Sequence, residues 1–233
     1  MRHIIIIVAM FISFCSSAFQ VEPMVADLQP LGTNSQVLLR VTNTSENQLS
    51  VEISSFDLTI NSNNKEKLYV NDDDFMIIPM TAIIPPGESQ AVIVKYIGEP
   101  LLKSSKSYRI EVKQLDVDLT GGSQSSIGVG YVFQTLYNVV PTQASAKLVV
   151  KDKQQASEGL WKVHLENKGN KYIRLTKTHW IIEGSGEKLV LKDEKLKEAL
   201  SGKFLLPYSS REVTLQMPAK FDPKLSKLMV VHD

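Results

Sequence analysis

SIGVGYVFQTLYNVVP, residues 126–141, is the stretch on which the fold turns. Its odd positions, Ile127, Val129, Tyr131, Phe133, Thr135, Tyr137 and Val139, form one apolar ladder, whereas the even positions begin Gly128, Gly130, Val132 and Gln134. A period of two puts successive side chains on opposite faces of an extended chain, so the stretch predicts a β-strand with one apolar face. The segment before it, GGSQSS at residues 121–126, is of the flexible Gly/Ser kind and ties the leading end weakly to its own domain. Such a strand suits two uses: closing its own core, or lending its ladder to another protein.

Upstream, shorter runs of the same period recur about every ten residues between clusters of Asn, Ser, Gly and Pro. Val37-Leu39-Val41 precedes a turn at residues 43–47, Val51-Ile53 leads into Phe56-Leu58-Ile60, and residues 75–84 precede Pro85-Pro86-Gly87-Glu88. Val92-Val94-Tyr96 and Tyr108-Ile110-Val112 then alternate in turn. Downstream of Pro141 the pattern restarts, in runs at residues 146–151, 161–166, 172–175, 179–182, 189–191, 204–206 and 213–217. Only DEKLKEAL, residues 193–200, carries a helical pattern. This cadence predicts an all-β chain of two β-sandwich domains, at residues 19–141 and 142–233, with almost no linker and a cleft between them.

The N-terminus has the form of a secretory signal peptide over residues 1–18: a basic start, an apolar run from Ile4 to Cys15, and small residues ending at Ala18. The apolar run is too short to span a membrane, and no later segment is long and apolar enough to anchor the chain. Cleavage after Ala18 removes Cys15, the single cysteine, so the exported chain is held by its cores without a disulfide. It also removes Arg2, leaving 25 basic against 25 acidic residues. With no net charge and no basic stripe, neither nucleic acid nor an anionic membrane is an expected partner.

Catalytic and metal chemistry find no footing in the pattern. His164, His179 and His232 stand at no metal-ligand spacing, and Asp72-Asp73-Asp74 lacks the alternating ligands of a calcium loop and reads as a solvated turn. No nucleophile elbow, phosphate loop or catalytic cysteine is present. The expectation is a protein without cofactor that is not an enzyme. Trp161 and Trp180 fall within apolar strands, whereas a carbohydrate binder displays aromatics on loops; an exported β-sandwich that binds carbohydrate or builds a surface structure stays as the alternative.

FMIIPMTAIIPPGESQAVIVKY, residues 75–96, resembles the periplasmic chaperones of the chaperone–usher pilus pathway, where an I-x-P … L-x-P-G-x-x-Q stretch precedes an alternating strand. The matching residues are Ile78-Pro79, Ile84-Pro85-Pro86-Gly87, Gln90 and Val92-Val94. Val41-Thr42-Asn43, the Tyr-Arg strand KSYRIEVKQL at residues 106–115, ENKGNKYIRL at 166–175 and FLLPYSSREVTL at 204–215 fall in the family's order, in a divergent, archaic or alternative type of member. The resemblance implies a boomerang of two immunoglobulin-like β-sandwich domains in the periplasm that caps pilin subunits by donor-strand complementation and passes them to an outer-membrane usher for fimbria assembly. The donor strand would be residues 126–140, with Ile127, Val129, Tyr131 and Phe133 filling the pilin's pockets.

The best-known members grip the pilin's terminal carboxylate with an arginine of the first strand and a lysine of the donor strand. The corresponding positions here lie near Asp27 and Leu136 or Tyr137, and none is basic. The resemblance to divergent relatives moves the anchor to Arg109, with Lys95 and Lys113 as available second cations. A solvated Arg109, paired with a neighbouring acid, is the other reading of that residue.

Overall fold

The computed structural model describes residues 19–61, 64–115 and 130–232; the expected signal peptide, residues 1–18, and the donor-strand candidates Ile127 and Val129 lie outside the described residues. The first sandwich is built from β1 (Phe19–Glu22), β2 (Val25–Leu28), β3 (Gln36–Asn43), β4 (Leu49–Ile60), β5 (Glu66–Val70), β6 (Phe75–Ile78), β7 (Thr81–Ile84), β8 (Ser89–Tyr96), β9 (Lys106–Leu115), β10 (Val132–Gln134) and β11 (Leu136–Val139). One sheet has the order β1-β3-β8-β6, and the other runs β2-β11-β9-β4-β5 with β10 on β9 and β7 on β4. The alternation seen in sequence closes the core between them: Leu39, Val41, Val51, Ile53, Val92, Val94, Ile110 and Val112 are all fully buried.

The second sandwich comprises β12 (Leu148–Ser157), β13 (Leu160–Asn167), β14 (Ile173–Arg174), β15 (Thr178–Gly184), β16 (Glu187–Leu191), helix α1 (Glu194–Leu200), β17 (Phe204–Leu205), β18 (Ser210–Gln216) and β19 (Lys227–His232). Its sheets are β12-β13-β18, β14-β17 and β16-β15-β19. Trp161 and Trp180 are both in its core, and the Trp180 indole N–H donates to Thr178 Oγ1 at 2.9 Å. Helix α1 docks through the buried Leu196 and Leu200.

The same device ends β3 and β13. Asn43 Nδ2 donates to the carbonyls of Asn47 and Ile84, and its Oδ1 accepts from the backbone N–H and hydroxyl of Ser45. Asn167 Nδ2 donates to the carbonyls of Lys171 and Leu206, while its Oδ1 accepts from the N–H groups of Lys147 and Gly169. Each asparagine is buried, and each has all its polar valences used, which is the condition for keeping an amide in a core.

Asp74, expected from sequence in a solvated turn, is instead drawn inward. Its Oδ2 accepts from the Tyr108 hydroxyl at 2.6 Å, with Lys106 Nζ 3.5 Å away, because the Tyr108 ring fills the core beneath it. Burial, reinforced by that hydrogen bond to Asp74, raises the Tyr108 pKa, and burial beside Asp74 pushes Tyr96 up to about 12.

The sandwiches meet over a small shared core of Leu58, Leu136 and Phe204 and through the loop at residues 167–172. Asn170 receives the Ser145 N–H on its side chain, donates Nδ2 to the Lys103 carbonyl and accepts the Ser105 N–H on its own carbonyl. The Tyr172 N–H donates to Ser105 Oγ, and the Tyr172 hydroxyl donates to Asp27 Oδ1. Gly169 lies so close to the connecting chain that a Cβ there would stand 2.3 Å from the Ser145 carbonyl oxygen and 2.6 Å from the Lys147 nitrogen.

Two outcomes follow from this packing. Gly169→Ala forces the connecting backbone away, costing about 1–3 kcal/mol as an overpacked contact does; the lowered thermal midpoint should accompany a broader interdomain distance distribution in small-angle scattering, and an unchanged distribution counts against the joint described. In alkaline titration, a tyrosine pKa raised by folding means that the native state holds the proton more tightly. The associated stability is therefore complete below the ordinary value near 10 and is lost as pH climbs from there through the raised value of the folded state. Tyr96 should titrate at about 12, with Tyr108, Tyr137 and Tyr172, all raised chiefly by burial, ionising only as circular dichroism reports unfolding.

Candidate functional site

The long strand of the sequence keeps one register against β9 from Val132, opposite Lys113, to Val139, opposite Lys106. Along Leu136–Val139 its other edge is paired in parallel with β2, whereas along Val132–Gln134 that edge carries no strand among the described residues. The backbone groups there are the kind of open edge that natural sheets rarely leave uncovered.

The faces of this strand differ from the lending pattern expected of it. Phe133 turns into the chain's own core, its ring 4.7 Å from that of Phe19 in an edge-to-face contact. Thr135, Tyr137 and Val139 follow it inward and are fully buried. Tyr131, at the rim of the sandwich, is 39% exposed, and Val132 on the opposite face is 51% exposed. The period alone could not assign the side: alternation names two faces, and only the partner sheet decides which one is inward.

Between the sandwiches lies a cleft of about 750 Å³, lined among others by Leu136, Arg109, Arg174, Lys177, Lys197 and Asp193. Of the three cations expected as anchors, Arg109 is the one on its wall. Lys113 shares the outward face of β9 but sits opposite Glu52 and Val132, outside the cleft lining. Lys95 belongs to β8 of the other sheet, and its neighbours Val94 and Tyr96 point into the core, so Lys95 points away from it. The structure therefore does not gather Lys95 and Lys113 around Arg109.

Arg109 arrives with a carboxylate already bound. Its Nε donates to Glu66 Oε2 at 3.1 Å and its Nη2 to Oε1 and Oε2 at 2.8 and 2.7 Å, while Nη1 reaches the Thr135 carbonyl at 3.3 Å. The pair is largely sheltered, with the Arg109 side chain 14% exposed, so the fork-to-fork geometry is screened less than a surface pair. The Arg109 and Arg211 guanidinium carbons lie over the Phe204 ring, 5.8 and 5.6 Å from its centre. Burial lowers the Arg211 pKa, and Glu66 offsets part of that shift.

Asp27, at the position where a cation would be expected in the best-known members, accepts from Asn138 Nδ2 and from the Tyr172 hydroxyl, and so serves the interdomain joint. Asn138 in turn accepts from Ser107 Oγ at 2.7 Å. Glu66, Phe204, Arg174 and Lys177 were not singled out in the sequence. Glu66 is 43 residues from Arg109 in the chain, and only the pairing of β4 with both β5 and β9 sets them side by side.

No protein-family model and no curated sequence matches the chain. Solved structures do. The class 5 fimbriae chaperone CfaA superposes with a TM-score of 0.57 at 14% identity, over 93% of this chain and all of its own. The CsuC–CsuE chaperone–tip adhesion subunit pre-assembly complex from archaic Csu pili of Acinetobacter baumannii contributes a match at TM-score 0.55 and 13% identity, over 84% of this chain and 89% of that one. The complex of the SafA pilin with the SafB chaperone of Salmonella enterica gives 0.53 and 10%, over 94% and 99%. The two joined β-sandwiches of this chain are the fold of the chaperone–usher fimbrial chaperones.

Proposed function

We propose that the chain is a non-enzymatic periplasmic chaperone that binds pilin subunits by donor-strand complementation and delivers them to an outer-membrane usher for fimbria assembly. The observation that carries this reading is the edge of β10 that no strand among the described residues covers, on an otherwise enclosed strand, in a chain of fimbrial-chaperone fold. A pilin lacking a strand exposes a hydrophobic groove bounded by unpaired backbone groups. An edge such as Val132–Gln134 satisfies those groups, and side chains beyond the sandwich rim fill the groove's pockets. Export rests on the signal segment at residues 1–18; among the described residues no helix is long and apolar enough to cross a membrane.

In this reading the lending side chains are Ile127, Val129 and Tyr131, the last of them at the rim, while Phe133 stays with Phe19. Arg109 contributes to holding the client's end only when Glu66 yields its place.

Co-expression with candidate pilin subunits followed by affinity purification tests the function; a one-to-one complex is expected, and failure of every subunit from the same locus to co-purify would falsify it. The donor assignment is tested by Val129→Glu combined with Tyr131→Glu. Soluble pilin should be lost, since a charge in a pilin pocket finds no partner, while the variant's own thermal midpoint stays within a few degrees because Tyr131 stands at the rim. Phe133→Ala gives the opposite pattern, with the chaperone itself destabilised by about 3–5 kcal/mol at most, as for a buried aromatic.

A further inference from the structure

β11 is enclosed because β2 pairs with it, yet β2 is four residues long and, among the described residues, no strand covers its other edge. Its flanks hold β11 at both ends: the Met24 carbonyl accepts from the Leu136 N–H at 2.8 Å, and the Leu28 carbonyl from the Val140 N–H at 2.7 Å. A short edge strand frays readily, since few bonds oppose the conformational freedom it regains. The consequence reaches β10, because Thr135 joins it to β11 and is bonded through both its N–H and its hydroxyl to the Ile110 carbonyl of β9. A β11 that shifts takes the β10 edge with it.

Side chains secure what this short ladder leaves weak. Asn138, fully buried in β11, accepts from Ser107 Oγ of β9 at 2.7 Å and donates Nδ2 to Asp27 Oδ1 of β2 at 3.2 Å. The same Asp27 oxygen accepts the Tyr172 hydroxyl, which belongs to the second sandwich. Tyr172 is itself fixed: it is buried, its N–H donates to Ser105 Oγ at 2.7 Å, and Ile173 beside it is completely buried. Asp27 also shares a small cavity with Lys171, Arg174 and Lys177, so its carboxylate stands among cations as well as hydrogen-bond donors. Bonds to an ionised acceptor are stronger than neutral ones, which suits Asp27 to hold a strand that its backbone holds poorly. Resting on the chaperone reading, we propose that Tyr172 and Asp27 are positioning residues for client binding: through them the second sandwich clamps β2 onto β11 and keeps the Val132–Gln134 edge in register for an incoming strand. The second sandwich thereby takes part in client capture through a bond that touches no client.

Amide hydrogen exchange, followed by nuclear magnetic resonance on the mature chain, reads the clamp without a client. Tyr172→Phe keeps the ring and removes the donor; it should speed exchange of the Leu136 and Val140 amides by about tenfold or more, the scale of one hydrogen bond to a charged group. The Asn43 amide, bonded to the Glu88 carbonyl in the other sheet, should keep its rate. Asp27→Ala should speed the same two amides, and because Asp27 is exposed it empties no core even where Tyr172→Phe disturbs the fold. The double variant should exceed Asp27→Ala by less than about twofold, since the two residues share one bond and their effects do not add. A co-expressed pilin should leave immobilised Tyr172→Phe chaperone several-fold faster than it leaves the unaltered chain. Unchanged rates at Leu136 and Val140, a rise at Asn43 as large as theirs, additive effects in the double variant, or a pilin held equally well by Tyr172→Phe each overturn the assignment and leave the chaperone function standing. Absence of any pilin complex with the unaltered chain strikes that function instead, and the exchange rates, which need no client, still decide whether the clamp exists.

Discussion

The loop at residues 167–172 is the constraint on which the rest of the molecule depends. The chain passes from Val139 to Leu148 without a strand, too short a link to hold two sandwiches at an angle by itself. What holds them is a set of directed hydrogen bonds. Asn167 ties the loop to its own core, Asn170 bridges to the connector at Ser145 and to the first sandwich at Lys103 and Ser105, and Tyr172 reaches Asp27. Such bonds have steep angular requirements, so they specify an orientation where apolar contact alone allows sliding. The apolar contribution at this boundary is small, limited to Leu58, Leu136 and Phe204 with their partly buried neighbours.

The cleft owes its character to that orientation. Its cations come from both domains, Arg109 and Arg174 being on strands that belong to different cores. Phe204 belongs to the second sandwich yet is stacked against Arg109 of the first. A rotation of the joint would separate these groups. The contact of Phe204 with Arg109 therefore belongs to one arrangement of the two bodies, whereas the Glu66–Arg109 pair is set within the first sandwich by β5, β4 and β9.

The strand formed by β10 and β11 shows how one segment serves two masters. From Leu136 to Val139 it is enclosed by β2 and β9 and buried on both faces. From Val132 to Gln134 it is paired, among the described residues, on one side, and its outward Val132 is half exposed. The enclosed half anchors the open half in register, so an arriving strand meets a preformed template whose ordering cost is already met by folding.

Much of the fold was legible in the sequence because period two, punctuated by turn residues, is a local signal. The alternation at 37–41, 51–60, 92–96 and 108–112 named the core positions of the first sandwich, and residues 193–200 announced the helix. The two buried tryptophans could likewise be named from their strands, whereas Arg109, on the cleft wall, was named only through the family resemblance. Which face of 126–141 turns inward could not, because alternation is symmetric between faces until a second sheet covers one of them. Lys95 and Arg109 looked like neighbours in a list of strands, but the topology put them on different sheets. Asp74 reads as solvated in the sequence, yet Tyr108 lies beneath it; Glu66 and Lys177 fall in no motif, and the segments that contain Phe204 and Arg174 assign neither a role. The sequence by itself determined where strands run and which side chains share a face, since those follow from bonds between neighbours; the tertiary structure alone decided which charges meet, since ion pairing acts between residues that are distant in the chain and are brought together only by the register of sheets and the angle of the joint.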